Sequence, residues 1–324
     1  MVAGGAGYIG AHCSKAIAEA GFLPICYDNL STGHASFVQW GPLVVGDIHD
    51  SQKISSIIRE HSVQAVLHLA AFSAVGESVE NPEKYYLNNV GGALGLVRGM
   101  REAGCNSLVF SSTGAVYGNA SSKPIFEEAA GSTINPYGRS KFMIEQILSD
   151  YRASHQFGSV SLRYFNACGA DASGSIGELR NPETHLIPRA LMALQGHVSD
   201  FAIYGTDYET PDGTAVRDYI HVDDLAAAHI AALELLLRGD LGDVFNVGTG
   251  LGYSVRQILD VIRAETGEAV PSTLRERRSG DPPILVANPT KAERQLHFKA
   301  SRSDLQNIIR SAWAWHQRAH PRLR

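Results

Sequence analysis

Cysteine is scarce here: four in 324 residues, at Cys13, Cys26, Cys105 and Cys168. No two stand at the spacing of a CxxC metal or redox motif, and a chain this long needs no disulfide framework. A reducing, cytoplasmic setting fits, and no metal is expected. Long apolar runs are missing too. None approaches the ~20 residues of a membrane span, so no membrane is expected among the partners. Charge of one sign is also lacking, with a net charge of −5 and 19% charged residues. Such a chain is a poor match for a phosphate backbone, so no nucleic acid is expected. A secretory leader would need a charged and then an apolar stretch where glycines begin at Gly4, so none is expected. The 44% hydrophobic fraction is ordinary for a globular protein. The length favours two domains or one large α/β domain.

What is present is a rhythm. Short apolar runs, "FLPICYD" (22–28), "GPLVVGDI" (41–48), "AVLHLAA" (65–71), "SLVFSST" (107–113) and "VSLRYFN" (160–166), alternate with amphipathic segments such as "KISSIIREH". Strands alternating with helices indicate βαβ units and a parallel sheet. Runs apolar on both faces suit a sheet covered by helices on each side. After Asn166 the rhythm breaks into a Gly- and Ser-rich stretch. A strand and a long helix follow, the helix capped by Asp223 or Asp224. "DVFNVGTG" reads as one more strand, and the tail beyond about 250 as two helices. The pattern predicts an α/β fold with a doubly wound, Rossmann-type parallel sheet. That domain would span 1–167, with 215–247 partly returning to it. A smaller α+β domain would span 168–324.

"GGAGYIGAH" places Gly4, Gly7 and Gly10 three residues apart. A strand-to-helix turn at a pyrophosphate needs glycine for the sharp bend, the close backbone approach and the helix–sheet packing. A glycine-rich turn without a ligand is the bland alternative. The context favours the ligand: a helix follows, and Asp28 comes about 20 residues later, where a ribose-binding acid belongs. A carboxylate there repels a 2′-phosphate, so NAD is favoured over NADP. Only Met1, Val2 and Ala3 precede the glycines, where a strand of about five residues is ordinary. We expect that the chain as written begins a few residues into that strand.

Three further sites lie at strand ends. Asp47 could accept from an adenine amino group or simply cap a helix. Ala70 and Ala71 leave room for a cofactor. Ser111, Ser112 and Thr113 offer hydroxyls beside a reacting carbon. Then "NPYGRSK" opens a helix with Tyr137 and Lys141 four residues apart, on one face. A tyrosine is a poor base at neutral pH. A nearby ammonium and the positive nicotinamide of NAD favour the phenolate. The phenolate can take a hydroxyl proton while hydride leaves the same carbon. A Tyr–Lys pair alone would be an ordinary surface pair. It is the order of glycine loop, acid, hydroxyl-rich strand end and then the pair that points to chemistry.

These residues resemble the extended short-chain dehydrogenase/reductases, and within them the UDP-glucose 4-epimerases. The likeness runs through "GGAGYIGAH", "YDNLS", "AVGESV", "YYLNNV", "SSTGAVYG", "NPYGRSKFMIEQIL", "LRYFNACGA", "DGTAVRDYIHVDDLA", "FNVGTG" and "SGDPP". It implies Tyr137 as catalytic acid–base, Lys141 as its tuner and ribose ligand, and Thr113 as the catalytic hydroxyl. It implies an NAD site of Gly4, Gly7, Tyr8, Ile9, Gly10, Asp28, Asn29, Asp47, Ile48, Ala70, Ala71, Asn89, Ser111, Tyr137, Lys141 and Tyr164. It implies UDP-sugar contacts from Thr113, Tyr137, Asn166, His185, Leu186, Tyr204, Arg217, Tyr219, Arg278 and Asp281. Two arginines on a diphosphate make chemical sense, because the guanidinium fork fits phosphate oxygens. That gives part of the basic run Leu274–Arg278 a purpose, while Arg275 and Arg277 read as solvated. The family is usually dimeric through a pair of helices per subunit, here "NNVGGALGLVRGM" and the Lys141 helix.

Two positions depart from the pattern. Ser73 stands where some members carry lysine. Leu285 stands where the family varies between a bulky aromatic and a small residue, beside the sugar's C2 substituent. The reaction implied is inversion at C4 of a UDP-hexose through a 4-keto sugar that turns about its anchored UDP. A 4,6-dehydratase would need an acid beside Thr113, and "SSTGAVYG" has none. An epimerase of UDP-N-acetylglucosamine, UDP-xylose or UDP-glucuronate stays open. A non-catalytic NAD sensor would have no need of Tyr137 and Lys141.

Overall fold

The computed structural model describes residues 1–119, 124–278 and 281–323. The first half runs β1 (Val2–Ala3), α1 (Tyr8–Glu19), β2 (Cys26–Asp28), β3 (Leu43–Val45), α2 (Ser51–Glu60), β4 (Val66–His68), α3 (Val75–Glu80), α4 (Pro82–Tyr85), α5 (Gly92–Glu102), β5 (Ser107–Ser111), α6 (Pro136–His155) and β6 (Gly158–Tyr164). The second runs β7 (Asn166–Cys168), α7 (Leu186–Leu194), β8 (Ala202–Tyr204), β9 (Val216–His221), α8 (Val222–Leu237), β10 (Val244–Val247), β11 (Gly252–Ser254), α9 (Val255–Thr266), β12 (Thr273–Arg275), β13 (Ile284–Leu285), α10 (Thr290–Gln295) and α11 (Leu305–Ala319).

Seven strands form a parallel sheet in the order β10-β6-β5-β4-β1-β2-β3. Its order reverses between β1 and β4, so the crevice for a ligand opens beyond the carboxyl ends of those strands. Side chains alternate across the sheet. Val2, Leu67, Val109 and Val160 pack on one face with Cys13 and Ile17 of α1 and Leu225 and Leu233 of α8. Ala3, Val66, Leu108 and Phe110 pack on the other with Ile54 of α2, Leu96 of α5 and Ile144 of α6. Full burial of each such large side chain is worth about 1.5–3 kcal/mol, which is what holds the strand ends in place. β1 is two residues long, yet Val2 pairs with both Cys26 and Leu67.

The second domain has a four-stranded sheet in which β9 pairs with β7, β11 and β13, and a two-stranded sheet of β8 with β12. Ile187 and Leu191 of α7, Ile258 and Ile262 of α9 and Ile308 and Ile309 of α11 form its core. Three details differ from the sequence reading. The return to the first sheet is made by α8 and β10, whereas β9 stays in the second sheet. The cap of α8 is His221, whose Nδ1 accepts from the Asp223 N–H at 3.1 Å. Asp223 and Asp224 sit in the first turn, where the helix dipole favours negative charge. Among the described residues the tail holds three helices, because α10, at six residues, is too short to show a period.

Candidate active site

The glycine turn is built for close approach. Gly4 has φ +84°, and a Cβ there would lie 2.6 Å from the Ala70 nitrogen. A Cβ on Gly10 would lie 2.0 Å from the Gly4 carbonyl oxygen. Gly7 precedes α1 and gives it no side-chain cap, so the first N–H groups of the helix are left to an external acceptor. Tyr8 sends its hydroxyl to the Gly169 carbonyl at 2.7 Å, which ties α1 to the second domain. Ile9 packs against the core. What Tyr8 and Ile9 can offer a pyrophosphate is backbone.

Asp28 ends β2, and its carboxylate accepts from the Ala6 and Leu30 N–H groups at 3.0 and 2.8 Å. Each oxygen keeps lone-pair capacity for a ribose hydroxyl. Asn29 donates to Asp47 at 3.0 Å, and His49 donates to the same carboxylate from its backbone at 3.0 Å. Burial acts to raise the Asp47 pKa, but the bonds from His49 and Asn29 outweigh it and hold the carboxyl below its ordinary range. Asp47 caps no helix: Asp50 caps α2, accepting from Lys53. Ile48 is buried against Gly92, where a Cβ would meet it at 2.4 Å. Ala70 and Ala71 follow β4, and the Ala70 N–H bonds to Ala3. Asn89 sits in a π-helical turn, Tyr86–Gly91, ahead of α5. Its amide accepts from the Phe72 N–H at 3.0 Å and donates to the Phe72 carbonyl and the Ser140 hydroxyl, both at 3.1 Å. It thereby clamps the segment after Ala71 to α6.

A second cluster gathers at the ends of β5 and β6. Asn135 caps α6 by accepting from Gly138 at 2.8 Å, and Pro136 takes the first helical position. Tyr137 and Lys141 are both buried on the face so presented. The Lys141 ammonium donates to the Ser111 carbonyl at 2.7 Å and lies 4.8 Å from the Phe110 ring. The Ser111 hydroxyl bonds His229 at 2.7 Å, and burial pushes the Tyr164 phenol well above its ordinary value, with the Ser111 hydroxyl acting against this. Burial raises the Tyr137 phenol, while the Thr113 hydroxyl and the charge of Arg180 act the other way. Burial also lowers Lys141 to about 7, with Glu145 resisting.

In the second domain Asn166 donates to the Asp218 carbonyl at 3.0 Å and pairs in register with the buried Tyr219. His185 precedes α7 and bonds Glu178 at 2.6 Å, and Leu186 opens that helix. Arg217 donates to Asp281 and lies in register with Leu285. Arg278 lies over the Tyr204 ring, 4.0 Å from its centroid. Arg277, read as solvated, pairs with Asp207 and lies over Tyr208. Ser279 and Gly280 of "SGDPP" lie outside the described residues. Sequence reasoning missed Glu178, Arg180 and Glu145. The first two fall in the stretch without a period, and nothing local marks them.

The sheet, its switch point and the glycine turn define the class: a Rossmann-type dinucleotide-binding protein carrying a second domain. A model of the NAD dependent epimerase/dehydratase family matches residues 1–248, and the chain belongs to that family. It is 48% identical over 318 residues to a UDP-glucose 4-epimerase of Rhizobium meliloti, covering 98% of this chain and 97% of that one. Among solved structures it is similar to UDP-glucose 4-epimerase from Brucella ovis in complex with NAD, with 50% identity and a TM-score of 0.95 over 97% of this chain and 96% of that one. It is also similar to the enzyme of Stenotrophomonas maltophila with bound NAD and formylated UDP-arabinopyranose, with 39% identity and a TM-score of 0.94 over 98% and 97%.

Proposed function

We propose that this protein inverts C4 of a UDP-hexose, interconverting UDP-galactose and UDP-glucose with NAD held between turnovers. The observation that carries the reading is the buried group of Tyr137, Thr113 and Lys141, set at the crevice edge of a sheet whose glycine turn fits a pyrophosphate. The turn fits because Gly4 and Gly10 have no room for a Cβ, α1 has no side-chain cap, and Asp28 is pinned with lone pairs to spare. NAD, held by the glycine turn, Asp28 and Lys141, would supply the acceptor and then the donor for the C4 hydride. Tyr137 removes the 4-hydroxyl proton and gives it back, and Thr113 shares that proton through its hydroxyl. Lys141, held by Ser111, keeps N–H groups for ribose hydroxyls. Arg217 and Arg278 anchor the diphosphate, Asn166, His185, Leu186, Tyr204, Tyr219 and Asp281 line the rest of the UDP-sugar site, and the sugar itself is gripped weakly enough to turn.

A dehydratase would need a free carboxylate here. Glu145 is the near one, and it is held by Ser112 and by Arg163. Another UDP-sugar remains a second reading because Leu285 lies beside Arg217 in the sheet and packs toward the Val116–Tyr117 cluster. The Stenotrophomonas relative carries a pentose derivative. We further propose domains at 1–167 and 168–324, and a reducing cytoplasm on account of the four free buried cysteines. A homodimer through α5 and α6 fits Leu94 and Met143, large apolar side chains exposed on those helices. Incubation with UDP-galactose, without added reductant, is expected to yield UDP-glucose. Tyr137→Phe is expected to abolish turnover and retain NAD. Failure to convert any UDP-hexose with NAD bound would sink the proposal.

A further inference from the structure

The stretch between β7 and α7 lies against the glycine turn. Tyr8, the first residue of α1, donates to the Gly169 carbonyl at 2.7 Å. His34 Nε2 donates to the Leu179 carbonyl at 3.1 Å, and the His34 N–H donates to the Ala6 carbonyl of the turn at 2.9 Å. Leu179 packs in one cluster with Ala11 of α1, Phe37 and Trp315. The Trp315 indole N–H donates to the Glu178 carbonyl at 2.8 Å. Residues 178 and 179 are therefore fixed to the dinucleotide side through their backbone.

Arg180 comes next and reaches the other wall of the crevice. Its Nη1 donates to the Ser73 hydroxyl at 3.2 Å, in the loop that leaves β4 after Ala70 and Ala71. Its Nε donates to Glu178 Oε1 at 2.9 Å. The Glu178 side chain is 4% exposed and also bonds His185 Nδ1 at 2.6 Å, so the carboxylate that holds the guanidinium is itself held. Nη2 bonds no described residue, and the Arg180 side chain is 31% exposed. The fork thus spans from the glycine turn to the β4 loop, the two walls that flank a pyrophosphate, with N–H groups unused. A guanidinium suits phosphate oxygens and keeps its charge at any working pH. No other cation is at hand in the turn. "GGAGYIGAH" contains no lysine or arginine, and Lys15, the first cation of α1, donates to Asp171. Ser73 itself stands where some members carry lysine.

We propose that Arg180 binds NAD as a clasp, giving the unused side of its guanidinium to the pyrophosphate and tying the second domain to the Ser73 loop across it. The proposal rests on the reading that NAD stays bound between turnovers. The glycine turn and Asp28 hold the dinucleotide from the first domain alone. Arg180 adds a charged hold from the second.

The test is the rate at which bound radiolabelled NAD exchanges for unlabelled NAD, read with no sugar present. Arg180→Met is expected to speed exchange by about ten- to hundredfold, the loss of one charge-assisted bond. Ser73→Ala should speed it by less, since the charge stays and only its tether goes. Adding Ser73→Lys to Arg180→Met returns a cation to the same point and should restore slow exchange. Affinity for UDP, titrated by calorimetry on the NAD-loaded proteins, should not change. Equal exchange rates in wild type and Arg180→Met would overturn the proposal. A loss of UDP affinity with NAD held as before would also overturn it, giving the guanidinium to the sugar nucleotide instead. Fast exchange that Ser73→Lys leaves fast would overturn it as well and make Arg180 a structural tie. Exchange needs no turnover. A wild type that holds NAD and converts no UDP-hexose loses the C4 reading, while the exchange rates still decide the clasp.

Discussion

Replacing Arg163 tests how the hydroxyl-bearing end of β5 is held. Arg163 and Glu145 have side chains only 5% and 3% exposed. Arg163 Nε donates to both Glu145 oxygens at 3.0 and 3.2 Å, and Nη1 donates to the Tyr117 hydroxyl at 3.0 Å and the Glu127 carbonyl at 2.7 Å. Burial works against the Arg163 charge, but the bonds and charge of Glu145 outweigh it, so its pKa stands above the ordinary value. Glu145 in turn accepts from Ser112, the neighbour of Thr113. Arg163→Met therefore strands a buried carboxylate and frees two buried acceptors. The expected cost is about 3–5 kcal/mol, because the loss is dominated by the unpaired charge rather than by the bonds. Removing both partners should cost much less than removing one, since an apolar pair of similar volume carries no desolvation penalty. Urea unfolding of wild type, Arg163→Met, Glu145→Leu and the double variant measures this as a cycle. A single-variant loss under about 1 kcal/mol, or a double variant as unstable as the sum of the singles, would refute the reasoning.

Lys141, taken from 10.5 to about 7 by burial, makes stability depend on pH. Between those values the unfolded chain binds a proton that the folded chain refuses, so the burial of Lys141 costs stability in full below pH 7 and the cost falls away as pH rises from 7 toward 10.5. Wild-type apoprotein should gain roughly 2 kcal/mol more than Lys141→Met between pH 7 and pH 9; equal slopes would reject the burial account. Gly10→Ala places a Cβ against the Gly4 carbonyl and should release NAD and lower the thermal midpoint, read by cofactor absorbance after gel filtration and by calorimetry. Leu285→Gly should raise kcat/KM for UDP-N-acetylglucosamine relative to UDP-glucose in a paired substrate assay, and an unchanged ratio would place the gate elsewhere.

The sheet was legible because its information is local. β1, β3, β4 and β5 are each followed by a helix, and parallel pairing follows from that alternation. The Tyr137–Lys141 pair was legible for the same reason, since four residues on a helix are one face. The second sheet was not. "VRDYIHV" reads as a strand, but nothing near it says that its partners are Asn166–Cys168, Gly252–Ser254 and Ile284–Leu285. His221 shows how close the competing choices can be. Two aspartates in the same turn have the better capping chemistry, yet a histidine two positions before the first of them takes the cap because β9 ends there.

The site divides along the same line, and this has a chemical consequence. Gly4, Asp28, Thr113 and Tyr137 each follow directly from a strand or a helix start, so a reader of the sequence finds the groups proposed to touch cofactor and substrate. The charged side chains that tie the surrounding segments together come from elsewhere in the chain. Arg180 reaches Ser73 across 107 positions, and Arg163 reaches back 18 positions to Glu145. A charge acts through space with no respect for register, so only the fold reveals it.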